Sequence, residues 1–68
     1  MGYDQVANGE RLRSLRGQKS REEVALAVGI SPSALAMYEL GKRNPRDVVK
    51  RYLADYYGVT ISDIFFPA

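Results

Sequence analysis

At 68 residues with no cysteine and no histidine, the chain has the length of one small domain spanning residues 1–68, whose core must hold without disulfide staples. The same composition excludes histidine- or cysteine-based catalysis and the common zinc sites, so neither metal nor cofactor is expected. The formal charge is only +2, but all ten Lys and Arg residues lie between Arg11 and Arg51, and that crowding bears on an anionic partner more than the total does.

No apolar run approaches the roughly 18 residues needed to span a bilayer. The N-terminus lacks the basic-then-apolar layout of a signal peptide, and Val6 stands where a myristoylation motif has Ser or Thr. A soluble cytoplasmic protein is expected, in keeping with the missing cysteines.

Residues 1–7 admit two helix starts. Asp4 caps a helix from Gln5, or Asn8 caps one from Gly9, and Gly9 penalises the longer version by roughly 1 kcal/mol relative to alanine. The pattern favours a helix centred on Glu10 to Arg16, ended by Gly17, with Leu12 and Leu15 inward and Arg11 and Arg13 outward. Ser20-Arg21-Glu22-Glu23 then has the form of a capping box, and Val24, Ala25 and Val28 make a narrow apolar stripe. Gly29 suits a left-handed cap with Ile30 packed behind it. Ser31-Pro32 restarts a helix at once, Ser31 as the cap and Pro32 at the first helical position. A connection of Gly29, Ile30 and Ser31 is too short for antiparallel neighbours, so the two helices cross steeply, as in a helix-turn-helix unit.

The helix from Pro32 to Leu40 turns Leu35 and Tyr38 inward and leaves Pro32, Ser33, Ala36 and Met37 outward. A fourth helix is expected from Pro45 to Tyr57, with Val49, Tyr52, Leu53 and Tyr56 as its buried stripe and Lys50 and Arg51 on the solvated face. Gly58 ends it, and Thr60 caps a last helix from Ile61 to Phe65 whose Ile61, Ile64 and Phe65 close the core. Of the two aromatics in Phe65-Phe66-Pro67-Ala68, one fills the core and the other has little to pack against, which points to a homodimer interface at this end. The carboxylates Glu22, Glu23, Glu39, Asp47, Asp55 and Asp63 serve as caps, pairs or solvated face, leaving no catalytic constellation, so an enzyme is not expected.

The unit from Arg21 to Leu40, with Ala25 at its fifth position, Gly29 at its ninth and Val24, Val28, Ile30, Leu35 and Tyr38 at the buried ones, resembles the helix-turn-helix of phage repressors and Cro proteins, the Xre/Cro-like family. Arg11 to Arg16 is similar to that family's first helix, Glu39 to Pro45 to its loop after the recognition helix, and Gly58 to Phe65 to its closing turn and last helix. Two departures stand out: the Gly17-Gln18-Lys19 loop is shorter than is common, and Arg21 replaces a usual glutamine.

The resemblance implies an all-α, compact five-helix bundle and a transcriptional regulator, chiefly a repressor, that binds a palindromic double-stranded DNA operator. It also implies an ion pair between Arg16 and Glu39. In that geometry Pro32, Ser33, Ala36 and Met37 meet base edges, yet only Ser33 among them hydrogen-bonds. Lys42, Arg43 and Asn44 reach phosphates, with Arg46 nearby. Arg21 reaches either a phosphate or a base beside Ser33, the phosphate being favoured. The competing reading is a protein-interaction module, such as an antitoxin or anti-repressor, that uses Met37 and Ala36 or the phenylalanines against a protein partner.

Overall fold

The computed structural model describes residues 4–65, and among them there are five helices and no strand. They are α1 (Gln5–Arg16), α2 (Arg21–Val28), α3 (Pro32–Glu39), α4 (Asp47–Tyr57) and α5 (Ile61–Phe65). This is the all-helical arrangement that the sequence pattern implies. Phe66, which bears on the expected dimer contact, lies outside the described residues.

The first helix starts at Gln5, not near Glu10. Asp4 Oδ1 accepts the Val6 and Ala7 N–H groups, each at 3.1 Å, which satisfies two of the donors that a helix start leaves without partners. Gly9 does not stop the helix because it sits where α1 crosses the end of α3. A Cβ there would lie 2.6 Å from the Tyr38 carbonyl oxygen. Close backbone approach selects glycine, and the packing it permits outweighs a propensity penalty of roughly 1 kcal/mol.

α2 and α3 are joined as the residues dictate. Gly29 adopts φ 88°, and the Gly29 and Ile30 N–H groups both reach the Ala25 carbonyl, at 2.8 and 3.0 Å. Ser20 Oγ accepts the Glu23 N–H at 3.0 Å, and Ser31 Oγ accepts the Ala34 N–H at 3.0 Å. α1 packs on α3 and α5, α2 on α3 and α4, and α4 on α5. Leu12, Val24, Leu35, Leu53, Ile64 and Phe65 are the largest side chains removed from solvent at their meeting point.

Several inward assignments shift. Leu15 and Ile61 lie near the surface, and Tyr52 is half exposed. α1 instead buries Asn8, Gly9 and Leu12. α4 turns Val49, Leu53 and Ala54 into the core, which moves Tyr52 to the rim beside Ala27 and Val28. Five residues of α5 bury only the adjacent pair Ile64 and Phe65, while Val59 packs against the core just before it. α4 also begins at Asp47 and not Pro45: Arg46 is its extended cap (φ −68°, ψ 161°), and Pro45 is buried ahead of it. α3 ends at Glu39, with Leu40 as its cap.

Two cations expected in solvent belong to the frame. Arg11 Nη1 donates to Asn8 Oδ1 at 2.9 Å and to the Ile64 carbonyl at 3.0 Å, tying α1 to α5. Lys50 Nζ stands 5.5 Å from the centre of the Phe65 ring, within cation–π range.

Candidate nucleic-acid interface

The outward side of α3 begins at its capped end. Pro32 and Ser33 are exposed, while Ala36 and Met37, one turn further on, are half-buried. The segment after α3 returns toward the same helix, because the Lys42 N–H donates to the Met37 carbonyl at 2.9 Å. Lys42, Arg43, Asn44 and Arg46 on that segment are all exposed. The outward side of α3 is therefore neutral, and exposed cations follow it on a short tether.

On the other flank the charges converge on one buried carboxylate. The Glu39 side chain is fully removed from solvent. Arg16 reaches it with two parallel bonds, Nε to Oε2 at 2.7 Å and Nη2 to Oε1 at 3.1 Å, the bidentate geometry that a planar guanidinium makes with a carboxylate. Arg16 Nη1 donates to the Lys19 carbonyl at 2.8 Å, so the same side chain also closes the short loop between α1 and α2. The hydrogen bonds to Glu39 raise the Arg16 pKa above its ordinary value despite partial desolvation.

Arg21 is the second partner. Its Nε donates to Glu39 Oε1 at 2.9 Å, with 39% of the side chain exposed. The sequence reading places Arg21 on a phosphate or on a base beside Ser33 and misses this tie, since the carboxylate lies 18 positions away and becomes a neighbour only where α2 packs on α3. The one available signal was the arginine standing where a glutamine is usual. Arg21 and Arg13 line a shallow groove of about 620 Å³ together with Pro32, Ser33 and Ala36. Arg21 is thus brought beside Pro32, Ser33 and Ala36, and Arg13 enters the same surface from α1.

Close by, the Tyr57 hydroxyl is buried with no hydrogen-bond partner among the described residues. Burial, followed by the negative charge of Glu39, pushes its pKa up to about 12. Among the described residues no acidic cluster is arranged to hold a metal ion, and no helix is long and apolar enough to cross a membrane.

A family model for a helix-turn-helix domain matches residues 9–64. The restriction-modification controller protein C.AhdI from Aeromonas hydrophila is 34% identical, with a TM-score of 0.83 over 91% of this chain and 97% of its own. The SOS-response transcriptional repressor LexA from Eubacterium rectale is 28% identical, with a TM-score of 0.84 over 90% of this chain and 67% of its own. The clp gene regulator ClgR from C. glutamicum is 26% identical, with a TM-score of 0.79 over 94% of this chain and 86% of its own. No curated protein matches the sequence. With the family match running from within α1 into α5 and the capped turn between α2 and α3 in place, the chain belongs to the helix-turn-helix domain family.

Proposed function

We propose that this protein is a transcriptional regulator that binds double-stranded DNA sequence-specifically, acts as a repressor by occluding its operator, and has no enzymatic activity. The observation that carries the reading is the outward, capped start of α3, with Pro32 and Ser33 exposed, flanked by Lys42, Arg43, Asn44 and Arg46 on one side and Arg21 on the other. A helix presented in this way enters the major groove N-terminus first. Lys42, Arg43, Asn44 and Arg46 hold the flanking phosphates, which set affinity and register, while Pro32, Ser33, Ala36 and Met37 face the bases. The names of the structural neighbours, a controller protein, a repressor and a gene regulator, support the same reading.

The working unit in this proposal is a two-fold homodimer joined through the α5 end. Leu15, Val59 and Asp63 edge a groove of about 420 Å³ between α1 and α5, and Ile61 adds exposed apolar surface there. A two-fold pair places recognition helices about 34 Å apart, matching half-sites one turn of DNA apart. Selection of bound duplexes from a randomised pool at near-physiological salt tests the function: a palindromic winner is expected, and failure to enrich any sequence refutes it. Sedimentation at tens of micromolar, with and without the selected duplex, tests the dimer separately.

A further inference from the structure

Resting on the DNA-binding reading above, we propose that Arg21 reads the edge of a guanine in each half-site, its guanidinium set in plane by the buried carboxylate of Glu39. Position comes first. Arg21 opens α2, yet its side chain lines the same groove as Pro32, Ser33 and Ala36 of α3, so it reaches the floor of the contact surface. Orientation follows from the single bond to Glu39. Nε donates to Oε1 at 2.9 Å, and the carboxylate is itself immobilised by two bonds from Arg16. A guanidinium is planar, so anchoring Nε leaves the Nη1 and Nη2 end as two side-by-side donors, the pair that fits guanine O6 and N7.

Two observations favour a base over a phosphate. The anchored side chain loses its rotamer freedom before binding, a preorganisation that benefits a directional two-point contact far more than attraction to a diffuse phosphate charge. Glu22 rims the same groove, and its carboxylate repels a phosphate seated against Arg21. The neighbouring arginines do not compete for the role. Arg16 engages Nε and both terminal nitrogens within the protein, and Arg13 approaches from exposed positions on α1. The polar repertoire of α3's outward face is Ser33 alone, so Arg21 supplies the bidentate discrimination which that helix lacks.

The test compares duplexes selected by the wild-type protein and by Arg21→Ala, followed by titration of the wild-type site with individual guanines replaced by 7-deazaguanine, which lacks the N7 acceptor. The wild type is expected to lose roughly 5- to 150-fold in affinity at one guanine per half-site. Arg21→Ala is expected to lose its preference at that position only, to ignore the 7-deaza change there and to keep its salt slope. Uniform weakening of Arg21→Ala on all sequences, with the salt slope reduced by about one, would place Arg21 on a phosphate and overturn the proposal. Insensitivity of the wild type to 7-deazaguanine at every position overturns it as well, whether or not the variant folds. Failure of the wild type to select any motif instead brings down the DNA-binding reading itself, and this proposal with it.

Discussion

Glu39 is the residue whose environment decides most. Its side chain has no access to water and holds two guanidinium groups, so replacing it leaves the largely buried Arg16 without its counter-charge. Glu39→Ala is expected to destabilise the fold by about 3–5 kcal/mol, a large part of the 5–15 kcal/mol typical of a domain. Arg21→Ala, on the partly exposed side of the same cluster, should change stability by about 1 kcal/mol or less. Urea midpoints of the two variants check this order, and equal losses would contradict it. Tyr57 gives a second prediction, one of pH. An unfolded tyrosine ionises near pH 10, whereas the folded one holds its proton to about 12. Between these values the unfolded chain releases a proton that the folded chain keeps, so stability is expected to fall as pH rises from about 10 toward 12. Tyr57→Phe should remove that alkaline loss and, because the hydroxyl has no partner among the described residues, leave neutral-pH stability unchanged or raised by up to about 1 kcal/mol. Denaturant midpoints measured against pH decide it. At this scale the caps Ser20, Ser31 and Thr60 were legible, since capping is a local matter of a few residues. The Arg21–Glu39 bond was not, because spacing along the chain carries no information about which long side chains meet across a crossing.

Among the helices, the misread starts have a common cause. Gly9 read as a weakness in α1 because propensity is a property of an isolated helix, whereas the position is chosen by the carbonyls of α3 lying against it. Gly9→Ala is therefore expected to destabilise by about 1–3 kcal/mol, opposite in sign to the gain of about 1 kcal/mol that propensity alone assigns. Thermal melting followed by circular dichroism settles the sign. Pro45 misled in the same way: a proline near a helix start suggests the first helical position, but the chain stays extended through Arg46 and the helix waits for Asp47. The stripe on α4 was legible in Val49 and Leu53 and failed at Tyr52, because α2 and α5 cover one sector of the helix and a large ring at its edge keeps half of its surface in water.

For the molecule as a whole, the order of helices and the presentation of α3 follow from signals that reinforce one another: a cap, a turn glycine and a proline within a few residues. The outward side of α3 was legible from one helix's pattern, whereas the approach of Arg13 from α1 to the same groove was not. Electrostatics at this scale yields a separable prediction. Arg43→Ala should weaken binding about equally on all duplexes and lower the salt slope by about one, whereas Met37→Gln should alter the preferred sequence. Salt-titrated binding to the selected and a scrambled duplex distinguishes the two.

The short loop closed by Arg16 also shapes how the chain folds. One side chain joins the end of α1 to the Lys19 carbonyl and to Glu39 on α3, while Arg21 brings the start of α2 to the same carboxylate. Glu39 can leave water without a heavy penalty only after the two bonds from Arg16 have formed, so α3 without α1 is disfavoured, and with α2 packed on α3 the first three helices dock in a single cooperative step. Amide protons in all three should then exchange with one shared opening free energy, and the surface offered to DNA is either wholly formed or absent.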